Sequence, residues 1–255
     1  MSERRIGAAL LAAAIAAAAF APVLAPQQAD AQFAALLGAP PTIPHIVDDA
    51  GAWHAPFIYP WVVTNRLEQR FEQDRSTRVP LAWLSGGRLV RSSDDGRAPL
   101  MLIGADSFGR DVFSRLLFGA RVSLALALVA AVGATLLGGM VGGAAGYVGG
   151  AMDDALMRVS DFVLVLPAIY VALALRAVLP LVLTPRQVFV MLAGIFAILG
   201  APFVARGVRA IVRTERALEY AVAARSLGAG HARLLFRHLL PAALPATSAA
   251  RWTMR

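Results

Sequence analysis

The sequence predicts an all-α integral membrane protein with an insert between its first two spans. Three observations carry this. Apolar residues make up 58% of the chain, charged residues 16%, and mean hydropathy is +0.64, more hydrophobic than an ordinary soluble domain. The apolar residues gather into runs close to the length of a bilayer span, at about 122–147, 162–183 and 188–205, with another run opening the chain. Between the opening run and the next, residues 33–103 are different material, rich in prolines, aromatics and mixed charge.

Composition excludes several kinds of chemistry. There are no cysteines, so neither a disulfide framework nor a thiolate metal site is possible. All 24 basic residues are arginine. Without a lysine the chain has no phosphate-binding P-loop of its own, so any ATP must be handled by another chain. The net charge of +8 falls among hydrophobic spans. It therefore points to anionic lipid and cytoplasmic topology, not to nucleic acid. The four histidines are scattered. No catalytic residue, metal site or cofactor is assigned, and the chain is not read as an enzyme.

Residues 1–32 begin with Arg4 and Arg5 and then run apolar from Ile6 to Ala25. This fits a cleaved leader, since Ala29-Asp30-Ala31 is a small-residue cleavage pattern. It fits equally an uncleaved N-terminal transmembrane helix, because about 20 apolar residues suffice to span. Residues 33–103 form the insert. In it, residues 65–75 place Leu67 and Phe71 four apart, which predicts a short amphipathic helix. The segment from Arg88 to Arg91 predicts a hairpin about the Asp95-Gly96 turn. A partner contact, a lid over a pathway and a passive cap are all compatible with such an insert.

Residues 104–124 read GADSFGRDVFSRLLFGARVSL. Asp106, Arg110, Asp111, Arg115 and Arg121 precede a long apolar run and are costly in hydrocarbon, so they belong at the outer interface. Asp111 and Arg115 are four apart and are expected to pair. Gly104, Gly109 and Gly119 permit tight turns or close approach. Ser114 stands among them. Interfacial anchoring accounts for these charges better than substrate contact.

The remaining spans follow. In the run 122–147, Gly138, Gly142 and Gly146 lie four apart, as do Gly139 and Gly143, a spacing that lets helices approach closely in lipid. Residues 149–161 are expected to be a short connector holding Asp153, Asp154 and Asp161. The span 162–183 carries Pro167 as a kink, and the span 188–205 is expected to break at Pro202. Arg206, Arg209, Arg213 and Arg216 then line one helix face, fitting lipid headgroups. This dense basic cluster belongs in the cytoplasm. Four spans put the N-terminus there as well.

Residues 206–241 form a charged loop. From 218 to 227 it is rich in Ala, Leu and Arg, strong helix formers. Gly228-Ala229-Gly230 interrupts, and a second short helix is expected from His231 to about Leu240, ended by Pro241. An ordinary amphipathic helix pair beside a span would look the same.

Two stretches carry a resemblance. The loop is similar to that of binding-protein-dependent ABC importer permeases, whose signature is E-A-A, three residues, G, nine residues, I-x-L-P. Ala223, Ala224, Gly228, Leu240 and Pro241 fall on signature positions, while Val222 and His238 depart from it. The stretch 104–124 resembles the G-T-D-x-x-G-R-D-V-x-S-R-x-x-x-G-x-R-x-S-L signature of the dipeptide, oligopeptide and nickel branch. Only Ala105 departs from it, at the Thr.

The resemblance implies a permease-like helical bundle in a bacterial plasma (inner) membrane, multi-pass, with its N-terminus cytoplasmic and the first helix retained. It implies that the chain passes peptides or peptide-like solutes, nickel chelates or peptide antibiotics. It also implies ATP-binding ABC ATPase subunits gripping Glu219, Ala223, Ala224, Gly228, His231, Leu240 and Pro241. The further implied partners are a second homologous permease subunit, an extracytoplasmic substrate-binding protein and membrane lipid. The permease transmembrane domain is placed at 104–245. Residues 246–255 are atypical for the family, which continues with two more spans. A truncated non-transporting membrane protein or scaffold is the alternative.

Overall fold

In the computed structural model, residues 3–65, 68–178 and 183–226 are described. The chain divides into two compact units, residues 1–124 and 125–255.

The first unit opens with α1 (Glu3–Ala19) and a short α2 (Ala21–Leu24). Pro22 lies in the first turn of α2, where its missing N–H costs nothing. Ala21 and Ala25 are buried with Leu117. Six strands follow: β1 (His45–Val47), β2 (Trp53–Ile58), β3 (Trp61–Asn65), β4 (Arg70–Gln73), β5 (Val79–Trp83) and β6 (Val90–Ser92). They form an antiparallel sheet ordered β1-β2-β5-β6 and a separate β3-β4 ribbon. Ile58, Val79, Ala98 and Leu100 make one core of this unit; Leu36, Ala39 and Met101 make another.

The sheets correct the all-α expectation, and two local readings fall with it. Where 65–75 was expected to be helical, Trp61 pairs with Gln73 and Val63 with Phe71 across β3 and β4. The β-branched Val62, Val63 and Thr64 favour a strand. Phe71 packs beside Trp61 against the Leu36–Met101 core, so a tertiary contact overrides the four-residue spacing. Leu67 lies outside the described residues. The expected hairpin about Asp95-Gly96 also moves. Strand β6 pairs back to β5 through the loop 84–89, closed by the Leu84 amide on the Leu89 carbonyl at 3.0 Å. Asp94 to Ala98 is a separate turn, with the Ala98 amide on the Asp94 carbonyl at 3.0 Å.

The long helix α3 (Val112–Val148) begins in the first unit and continues into the second. There follow α4 (Gly150–Val165), α5 (Ala168–Val178), α6 (Pro185–Glu215) and α7 (Glu219–Ser226). The expected connector 149–161 is mostly helix α4. Its residues are adequate helix formers, and Asp153 in the first turn suits the positive helix end. Pro167 ends α4 outright: Leu166 is extended, as a residue before proline prefers. Helix α6 starts at a capping box between Thr184 and Gln187, with Pro185 just inside it. It passes through Pro202 unbroken, correcting the expected break. Membrane helices tolerate an internal proline where neighbouring groups or a local change of helix geometry re-satisfy the freed carbonyl.

Among the described residues, α3 and α6 are long and apolar enough to cross a membrane, with mean hydropathies of 2.3 and 2.5 over their most apolar 18 residues. Leu128, Leu136, Val190 and Phe203 stand uncovered along them, a surface suited to lipid. Helix α3 meets α6 along its glycine stripe. A Cβ on Gly138 would lie 2.5 Å from the Ala201 carbonyl, one on Gly142 2.8 Å from the Ala205 Cα, and one on Gly146 2.7 Å from the Arg209 carbonyl. Only glycine admits this approach, as the four-residue spacing predicts. Gly139, in the second series, has open space around it. Gly142→Ala is therefore expected to destabilise the helical unit by about 1–3 kcal/mol, whereas Gly139→Ala stays within about 0.5 kcal/mol. Thermal unfolding of the two variants in detergent checks the contrast.

Candidate functional sites

The 104–124 motif folds as a tight loop clasped by the preceding chain. The Phe33 amide donates to the Gly109 carbonyl, the Gly38 amide to Asp106 and the Ala105 amide to Ala39, each at 2.9 Å. Gly104 (φ +93°) and Gly109 (φ +72°) adopt left-handed backbone. A Cβ on Gly104 would sit 2.7 Å from the Ala39 carbonyl, and one on Gly109 would strike the Phe33 carbonyl. Both positions need glycine for conformation and for space.

Asp111 is the hub. It is 1% exposed and precedes the first residue of α3. Its Oδ2 accepts from the Ser114 amide at 3.0 Å and the Ser114 hydroxyl at 2.5 Å; Oδ1 accepts from the Phe113 amide at 3.3 Å. This is N-capping geometry, which satisfies amides the helix start would otherwise strand. Burial pushes the Asp111 carboxyl above its ordinary pKa, against the opposing pull of the Ser114 hydroxyl and the two amides.

The network then leaves the motif. The Gln27 amide donates to Ser114 Oγ at 3.0 Å, the Gln27 side chain donates to Asp95 Oδ1 at 2.8 Å, and Arg91 donates to Asp95 Oδ2 at 2.6 Å. The expected Asp111–Arg115 pair is not made. Asp111 is turned back onto backbone amides, and Arg115 lies 3.7 Å from Asp106 instead.

Asp106 serves the loop itself. It accepts from the Phe108 and Arg110 amides at 2.9 and 3.0 Å and from Arg110 Nε at 2.9 Å. Burial raises its pKa, but the Arg110 and Phe108 amides and the Arg110 guanidinium outweigh this and hold it low. Arg110 also covers the Phe108 ring at 4.7 Å. Gly119 and Arg121 are exposed, and a Cβ on Gly119 would meet open space. The motif's polar core is thus a clasp, with its acids already engaged. Gln27 carries no local sequence signal, because it meets Ser114 across 87 residues of chain, whereas Arg91 and Asp95 pair only four residues apart.

The second cluster lies in the second unit. Arg209 grips Asp153 with two hydrogen bonds, Nε to Oδ1 at 2.5 Å and Nη2 to Oδ2 at 2.7 Å. Asp153 is 5% exposed. Arg206 pairs with Asp161, and Arg216 donates to the Tyr147 carbonyl at 2.7 Å. The arginine face expected to meet lipid headgroups is thus partly spent inside the protein.

Helix α7 packs on the same region: Ala221 is buried against Val208 and Val212, with Tyr147 beside them. Glu219, Ala223 and Ala224 fall within α7, and Ala223 is exposed. Gly228, His231, Leu240 and Pro241 lie outside the described residues.

A cavity of about 210 Å³ opens among α3, α4 and α6, lined by Leu137, Val141, Val159, Val163, Ile198 and Pro202. Its walls are almost wholly apolar, so it offers no ion or phosphate recognition. Among the described residues there is no cluster of side chains that could hold a metal.

Asp111→Ala removes a helix cap and strands the Ser114 hydroxyl. It is expected to cost about 2 kcal/mol in urea unfolding of the purified chain, whereas Arg121→Gln stays within about 0.5 kcal/mol.

Residues 134–250 match the family described as the binding-protein-dependent transport system inner membrane component. The chain is 36% identical over 141 residues to the dipeptide transport system permease protein DppC of Alkalihalophilus pseudofirmus, covering 55% of this chain and 44% of that protein. It is 34% identical over 182 residues to the di/tripeptide transport system permease protein DppC of Pseudomonas aeruginosa, covering 71% and 54%. It is 37% identical over 143 residues to the nickel transport system permease protein NikC of Escherichia coli, covering 56% and 50%. The chain spans about half the length of these curated relatives. By these matches the chain is similar to ABC importer permeases of the peptide and nickel group, and residues 134–250 match a family of inner-membrane components.

Proposed function

We propose that the chain acts as a transmembrane permease subunit of an ATP-driven importer for peptides or peptide-like solutes. The observation that carries this is the placement of α7. Its Glu219–Ser226 span opens the signature-like loop and lies inside the family match. It packs on the arginine-rich end of α6, one of the two helices long and apolar enough to span. A short helix anchored on one face and open on the other suits an ATPase docking element. The chain holds no phosphate-binding loop, so hydrolysis falls to separate ATPase subunits. The family is binding-protein-dependent, so an external binding protein delivers the solute, and a second permease subunit completes the pathway. The peptide assignment follows the two dipeptide relatives; the nickel relative marks the other cargo class.

In this reading the arginine row of α6 and α7 lies in the cytoplasm, the N-terminus does as well, and residues 33–103 lie outside. ATP binding draws the two ATPase subunits together and moves α7, and that motion switches the spans between inward-open and outward-open states. The chain's residues perform no covalent step. They hold the spans in register and pass on displacement.

The test is replacement of residues 219–226 by a Gly-Ser stretch in the full chain, co-expressed with its ATPase and second permease in cells lacking other dipeptide uptake. Radiolabelled dipeptide uptake is expected to fall to the level of cells without the permease, and the ATPase to stop co-purifying. Survival of both would show the coupling role to be wrong.

A further inference from the structure

We propose that Asp153 and Arg209 are positioning residues for energy coupling: their two-pronged ion pair locks α4 to the stretch of α6 that carries α7, so that the three move as one body. The inference rests on reading α7 as the start of the ATPase-coupling loop.

Three observations converge on it. First, Arg209 adjoins Val208, and Val208 with Val212 buries Ala221 of α7; the side chain that reaches α4 and the surface that receives α7 thus share one turn of α6. Second, the pair has fork-on-carboxylate geometry, Nε to Oδ1 and Nη2 to Oδ2, at 2.5 and 2.7 Å. That geometry fixes orientation as well as distance, which a lysine could not do. Third, Asp153 is 5% exposed, so releasing Arg209 strands a buried carboxylate and the joint resists sliding.

Secondary ties bound the joint. Arg206 holds Asp161 further along α4. Arg216 holds the Tyr147 carbonyl at the end of α3. The Tyr220 hydroxyl donates to Glu215 Oε2 at 2.8 Å, tying α7 to the last residue of α6. Helix α5 also packs on α6 but is set off from α4 by the extended Leu166.

The chain has no cysteine, so spin labels can be placed without background. Cysteines at Ala155 on α4 and Ala223 on α7, both exposed, carry nitroxides in the full chain held in lipid nanodiscs. Pulsed dipolar spectroscopy then reads the distance between the two helices. The parent is expected to give one narrow distribution. Asp153→Asn and Arg209→Gln are expected to broaden it, and the exchanged pair Asp153→Arg with Arg209→Asp to narrow it again. Arg213→Gln, an exposed arginine on the same helix, is expected to leave it narrow.

If the exchanged pair does not fold, Arg209→Lys decides. It keeps the charge but loses the fork, and is expected to broaden the distribution partway. A lower unfolding temperature with a distribution as narrow as the parent's marks a stabilising role only and overturns the proposal, as does equal width in every variant. No ATPase is present, so this failure is separate from failure of the coupling reading, which the loop replacement tests.

Discussion

The close approach of α3 and α6 is the constraint on which the helical unit depends. In lipid, apolar side chains gain nothing by leaving one apolar medium for another, so helices associate through dispersion, backbone proximity and polar contacts. Gly138, Gly142 and Gly146 bring α3 against the backbone of α6 at Ala201, Ala205 and Arg209. The last of these contacts sets the electrostatics. Once the Arg209 backbone lies on Gly146, its side chain is free to turn toward α4 and meet Asp153. A larger residue in the stripe would displace the arginine row as well as the helix.

Charge placement follows the same economy in both units. Asp111 and Asp153 are nearly fully buried, and each is engaged by several donors. Asp111 takes backbone amides and a hydroxyl; Asp153 takes a guanidinium. The first arrangement fixes where a helix begins, the second fixes how two helices sit together. The cavity beside Pro202 is almost wholly apolar.

Much of the helical unit was legible. The glycine spacing predicted the α3 contact face and the Ala-, Leu- and Arg-rich stretch predicted α7, whereas Pro167, expected to kink one span, separates two helices. These signals are local and periodic, so the sequence displays them directly. The sheets of the first unit were not legible. Their strands run from three to six residues and contain Pro56 and Pro80, which weaken a strand signal. The Asp111–Arg115 pair misled for a different reason: four-residue spacing describes a helix interior, and Asp111 sits at a helix start, where backbone amides compete for its carboxylate. The Asp153–Arg209 pair could have been foreseen. Charges flanking apolar spans are costly unless paired, and Asp153 and Arg209 both carried that warning.

In the proposed topology residues 33–103 face outward while the end of α6 and α7 face the ATPase. Single cysteines at Gly51 and Ala217, both exposed, test it directly in this cysteine-free chain. Intact cells, or spheroplasts if an outer membrane intervenes, are treated with a membrane-impermeant maleimide. Position 51 is expected to label from outside, and position 217 only after the membrane is opened. Labelling of position 217 from outside, or protection of position 51 until the membrane is opened, would contradict that topology.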